Sequence, residues 1–184
     1  MWKKGTLLLL VFIFIAMPVS ATPEIADLQV DQTRMKDWKE LILHCDLIVV
    51  GLTDARHQKY PTAKRISAGQ LVNYVQDVQI ERTLHGSASR RVKLLSTGVE
   101  PLPDASDPAN LQYPGPLGEG QYLLFLKKVN WTDMYSIVGL WQGVYPLYDG
   151  KTVSLRGQGF PELNQLSIRD VADKIRSVRR SSGR

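Results

Sequence analysis

The fold of this chain is decided by the stretch Val72-Asn-Tyr-Val-Gln-Asp-Val-Gln-Ile-Glu-Arg-Thr-Leu84, followed by His85-Gly86-Ser87 and by Arg91-Val-Lys-Leu-Leu-Ser-Thr97. Val72, Tyr74, Val78, Ile80 and Leu84 share one parity, while Asn73, Asp77, Gln79, Glu81 and Thr83 hold the other. A period of two places one parity on each face of a β-strand, so this is a long half-buried strand. The His-Gly-Ser segment turns the chain, and residues 91–97 return as an antiparallel partner.

Working outward, Cys45-Asp-Leu-Ile-Val-Val-Gly-Leu52 is almost continuously apolar and rich in β-branched residues. That is the composition of a strand covered on both faces, with Gly51 marking a bulge or a close backbone approach. Before it, Met35, Trp38, Leu41 and Ile42 recur at helical spacing and predict a short amphipathic helix over 32–43. Residues 57–69 are polar, contain Pro61 and read as a loop that extends into the next strand.

Residues 98–119 hold five prolines and three glycines and predict a long loop. Residues 121–129 and 134–140 flank a turn at 130–133, and residues 143–148 and 151–155 flank Asp149-Gly150, a strong hairpin dipeptide. The last element is a helix over 167–180. Ser167 caps it, Asp170 stands three residues on, Leu166 can staple against Val171, and Ile168, Val171, Ile175 and Val178 form a stripe that must dock on the strands. The expected fold class is mainly β: an OB-like antiparallel barrel with a short N-terminal helix and a C-terminal amphipathic helix.

The order of these elements resembles the OB-type barrel of tissue inhibitors of metalloproteinases and netrin-like modules, and is similar to many uncharacterised bacterial secreted proteins. The resemblance rests on Cys45–Gly51, on Ile80-Glu-Arg-Thr-Leu-His-Gly86, on Leu117-Gly-Glu-Gly-Gln-Tyr-Leu-Leu-Phe-Leu126 and on Tyr135-Ser-Ile-Val-Gly-Leu-Trp-Gln-Gly143, and covers Leu41 to Tyr148. It implies a barrel. In that family inhibition uses a mature N-terminal cysteine on the protease zinc, whereas here the expected mature start is Thr22 and the only cysteine, Cys45, lies well inside. The resemblance therefore carries the fold rather than the inhibitory mechanism, since fold and function separate.

The first twenty-one residues read as an address. Lys3 and Lys4 form a basic start, Leu7 to Met17 an apolar run of eleven residues, and Val19-Ser20-Ala21 a small-residue cleavage site. A helix across a bilayer needs about 20 apolar residues. We therefore divide the chain into a signal peptide over 1–21, an N-terminal segment with a short helix over 22–43, a barrel over 44–165, and a basic helix and tail over 166–184. The expected location is secreted or periplasmic, with no stable membrane span after cleavage.

The formal charge is +5, of which the leader holds two lysines and residues 167–184 a surplus of four, so the barrel is close to neutral. A near-neutral barrel whose Arg90, Arg91 and Lys93 lack interleaved aromatics does not suit nucleic acid. With a single cysteine an internal disulfide is impossible, and Cys45 is expected buried as a small hydrophobe.

The remaining residues form no familiar catalytic pattern. In an extended segment His44 and Asp46 face one way and Cys45 the other, so the three cannot close on one ion. There is no G-x-S-x-G elbow, and Gly115, Gly118 and Gly120 precede a strand where a phosphate loop requires a helix. The expectation is a non-enzymatic module with no metal or cofactor, binding an extracytoplasmic protein or polymer. Its candidate binding residues are Trp131 at a hairpin tip and Tyr113 in the long loop, the two regions together forming one surface. The alternatives are a protease-inhibitor-like binder and a hydrolytic enzyme with an unrecognised site.

Overall fold

A computed structural model describes residues 23–182; the leader assigned to residues 1–21 lies outside them. The strands are β1 (Leu47–Thr53), β2 (His57–Ile66), β3 (Gly69–His85), β4 (Arg91–Glu100), β5 (Gly120–Lys128), β6 (Met134–Ile137), β7 (Val144–Tyr148) and β8 (Lys151–Thr152). The helices are α1 (Trp38–His44), α2 (Ala109–Gln112) and α3 (Ile168–Ser182).

Five strands close a barrel in the order β1-β3-β4-β6-β5, with β5 pairing back onto β1 from Leu47↔Leu126 to Thr53↔Gly120. Four of its five pairings are antiparallel, and β4 with β6 is parallel. Closure removes the free edges that a flat sheet of this composition would expose. The interior is filled by one parity of every barrel strand, including Leu47, Val49, Val78, Val92, Leu94, Leu124, Leu126 and Ile137.

Two coverings bury the outside of the barrel. The other parity of β1 and β5 (Ile48, Val50, Leu123, Phe125) meets α1 through Leu41 and Ile42, and α3 through Val171, Ile175 and Val178. Burying each such side chain stabilises by about 1.5–3 kcal/mol, which is why α3 needs its stripe. Its start is as the sequence suggests: the Ser167 hydroxyl accepts from the Asp170 N–H at 3.2 Å and donates to the Asp170 carboxylate at 2.6 Å. On the opposite side a strap of residues 25–30 lays Ile25, Leu28 and Val30 over Val75, Leu95 and Met134.

The strap explains where the alternation of β3 fails. Leu71, Asn73 and Val75 are buried as well as Val72, Tyr74 and Gln76, so the strand is half-buried only from Asp77 onward. The Asn73 side-chain amide donates to the carbonyls of Ile25 and Leu28 at 2.8 and 2.9 Å, and its oxygen accepts from Thr97 at 2.7 Å. A polar side chain on a covered face is tolerated because each of its groups is paired.

Other boundaries differ from the sequence reading for local reasons. The first helix begins at Trp38 because Asp37 caps it, its carboxylate accepting from the N–H groups of Lys39 and Glu40. Met35 reaches the core without being helical; its backbone N–H and C=O are both held by the buried Gln142 side chain at 2.7 and 3.0 Å. Residues 57–66 are a strand, β2, and not a loop. They pair with β3 along one edge only and carry exposed polar side chains, a pattern that hides a strand from hydrophobic alternation. β4 runs on to Glu100, α2 interrupts the long loop, β6 stops at Ile137 and β8 is two residues long. Gly51 serves both of its expected roles: pairing of β1 with β3 shifts register between Val50 and Gly51, and an added Cβ would lie 2.6 Å from Val78.

Candidate functional site

The β5–β6 tip is built on a tight turn. Val129 accepts at its carbonyl from the Thr132 N–H at 3.2 Å and from the Thr132 hydroxyl at 2.9 Å, and that hydroxyl accepts from the Met134 N–H. Beside the turn, Lys93 on β4 reaches Asp133 at 2.9 Å. Trp131 is the third residue of this turn, at φ 63°, and is 88% exposed. The left-handed region suits glycine or asparagine at this position. A bulky indole there gains no burial in return, so neither local geometry nor packing accounts for tryptophan.

Tyr113 follows α2 and is half-buried. It lines an open cavity of about 460 Å³ between the strap and the sheet, together with Gln29, Gln32, Lys64, Asn73 and Thr97. Asn73 and Thr97 are already bonded to each other and to the strap. Tyr113 and the tip stand at different heights along β4. β5 runs antiparallel to the direction of β4, so the long loop enters β5 at the end away from the tip. Tyr113 stands by Thr97 and the tip by Lys93, four residues apart on β4, or roughly 13 Å.

The residues capable of acid–base or nucleophilic chemistry are dispersed. Cys45 is buried, its thiol donating to the Leu41 carbonyl at 3.0 Å, and burial pushes its pKa far above the ordinary thiol value. This matches the expected inert cysteine. His44 is exposed at the end of α1, with Nδ1 3.0 Å from the Glu40 carbonyl. His85 ends β3 opposite Ile48, and burial, reinforced by the nearby Arg179, lowers its pKa against the opposing pull of Asp46. His57 opens β2 and meets the ring of Tyr74 edge-on at 5.1 Å.

One cluster was not foreseen. The Tyr74 hydroxyl donates to Glu100 at 2.9 Å, and Lys59 reaches the same carboxylate oxygen at 2.5 Å. The Lys59 hydrogen bond, then that of Tyr74, holds the Glu100 pKa below the usual carboxylate value, while burial raises that of Tyr74. Glu100 is thus a committed anion and Tyr74 a committed donor. His57 shares Tyr74 as a neighbour, but no hydrogen bond joins it to Glu100 among the described residues. Sequence reasoning placed Tyr74 in the core by parity and lost Glu100 to a loop beginning at residue 98. The available signal was β2 itself, where half-buried Tyr60 and Thr62 alternate with exposed Lys59, Pro61 and Ala63, too weakly apolar to show as a strand.

Among the described residues no helix is long and apolar enough to cross a membrane, and no three His, Cys, Asp or Glu side chains converge as metal ligands. No family model, characterised protein or solved structure matches this chain.

Proposed function

We propose that this chain is an exported, non-enzymatic binding module of OB type whose contact element is the β5–β6 tip. The observation that carries the reading is Trp131: an indole 88% exposed in a backbone conformation that disfavours it. Side chains held against local preference at a surface tip are characteristic of recognition sites. The barrel order β1-β3-β4-β6-β5 supports the OB assignment. The reading of no nucleic acid is supported by the strap, which occupies the outer face of β3 and β4 with Ile25, Leu28 and Val30, a face OB barrels otherwise offer to oligonucleotides. The non-enzymatic reading is supported by the separation of the three histidines and by the engagement of Glu100.

A photo-crosslinking amino acid at position 131, introduced into the exported chain in its native source, tests this. Adducts that form at the tip and not at exposed Tyr148 on the other hairpin support the reading. Equal labelling at both positions, or none, overturns it.

A second reading, the protease-inhibitor-like binder, is favoured by the strap itself, which brings the N-terminal segment of the mature chain against β3 through Asn73. It predicts inhibition of an extracellular protease by the chain from Thr22 and loss of that inhibition when residues 22–24 are removed. A broad protease panel left uninhibited would sink it.

A further inference from the structure

We infer that the tip end of the barrel docks on an anionic lipid bilayer, with the Trp131 indole seated at the headgroup boundary. This rests on the proposed binding role of the tip and names its partner. Five segments converge at this end. The end of β5 meets the start of β1 where Lys128 N–H donates to Asp46 at 2.8 Å; the β3–β4 turn packs against Asp46, whose carbonyl an added Cβ on Gly86 would strike; and Arg179 of α3 donates to the carbonyls of Ile42 and Cys45 at 2.6 Å. The tip itself completes the end.

The charges at this end are unequal. Lys93 is neutralised by Asp133, and Arg91 lies 3.6 Å from Asp77. Arg90, Lys127, Lys128 and Arg180 are all exposed, and no described carboxylate lies within ion-pair distance of any of them. Asp46 accepts the Lys128 N–H, while Asp31 and Asp133, lowered in pKa first by hydrogen bonds from Thr33 and Lys93 respectively, lie close enough to Lys127 and Lys128 for those charges to contribute to the lowering. Four exposed cations without an ion-pair partner among the described residues thus lie on the segments that meet at this end, from which one indole protrudes.

That combination suits a bilayer better than a protein. A specific protein interface needs roughly 800 Å² per partner with an apolar centre. Here the large exposed apolar side chains are only Trp131 and, at the end of α1, the partly exposed Leu43, with Val129 half-buried at the base of the turn. An indole has an apolar body and a donor that remains wet, the chemistry of the headgroup boundary, and lysine and arginine heads reach phosphates beside it. Charge complementarity selects anionic lipid over neutral lipid.

The test is co-sedimentation of the chain from Thr22, which contains every contact described, with vesicles of phosphatidylglycerol mixed into phosphatidylcholine and with vesicles of phosphatidylcholine alone. Binding should require phosphatidylglycerol and weaken with salt. Trp131→Ala should lower it about tenfold, the worth of seating one indole, and Lys127→Ala/Lys128→Ala roughly thirty-fold by loss of two surface charges. Circular dichroism verifies that both variants remain folded, and Trp131→Phe should retain binding closer to the parent. Absence of binding, equal binding to neutral vesicles, or variants that bind like the parent overturns the lipid assignment. Lipid failure with protein adducts at position 131 removes this inference and leaves the binding module standing; failure of both removes both.

Discussion

Replacing Trp131 by glycine should stabilise the fold, although it deletes the largest side chain in the turn. A non-glycine residue in the left-handed region costs about 1–2 kcal/mol, and glycine gives back roughly 0.5–1 kcal/mol through its more flexible unfolded state. The indole is 88% exposed, so almost no burial is lost. The net expectation is a gain of about 0.5–1 kcal/mol. Trp131→Ala keeps the Cβ that causes the strain and should change stability by less than about 0.5 kcal/mol. Urea unfolding of the three chains reads the difference: with a slope of about 2 kcal/mol per M, glycine moves the midpoint up by roughly 0.3–0.5 M and alanine leaves it in place. If glycine lowers the midpoint, or alanine raises it as much, Trp131 is held by packing or the turn is not left-handed, and the argument that function selects this residue fails.

Four further outcomes follow from the core and its edges. Cys45 should resist a thiol reagent in the native state up to strongly alkaline pH and react only on unfolding, because burial holds it protonated; rapid native labelling contradicts this. Gly98→Ala should destabilise by about 1–3 kcal/mol, since its Cβ would sit 2.8 Å from both Gly115 and Tyr74, and a neutral effect in thermal unfolding would show that the loop at Gly115 and the Tyr74 ring yield freely. Arg179→Met should cost about 1–3 kcal/mol by leaving the Ile42 and Cys45 carbonyls without their donor, measured by denaturant unfolding. Lys59 and then Tyr74 hold the folded pKa of Glu100 below its ordinary value of 4.5, so its contribution is present above that value and lost as pH falls through the depressed one; Glu100→Gln should flatten the acid limb of a stability–pH curve, and an unchanged limb refutes the pairing.

The barrel was legible because its strands obey simple patterns: β1 is continuously apolar, β3 alternates beyond Asp77, and Asp149-Gly150 marks the last hairpin. α3 was legible down to its Ser167 cap. What stayed hidden depends on tertiary partners. β2 is an edge strand with little to bury, so its paired backbone leaves no hydrophobic trace. The strap reads as polar entry chain until Asn73 is seen to hold its carbonyls, and Met35 imitates a helical position because Gln142 supplies the backbone bonds that a helix would have made. Trp131 could be placed at a tip from sequence, but its backbone angle could not. Glu100 and Lys59, separated by 41 residues, meet only because both flank β3.

β3 also has a mechanical consequence. Its 17 residues extend about 56 Å, and it changes partners along that length: β1 pairs with it from Gln79 to His85, β4 from Gln70 to Gln79 and β2 from Gly69 to Gln76. The strand is a tie that joins both parts of the sheet. Its first half is held on two edges and covered by the strap, and the Lys59–Glu100–Tyr74 contacts, spanning three adjacent strands, brace it further. A load applied at the β2–β3 turn would be shared by β2 and β4 before it reached Gly51, where β3 bears directly on β1.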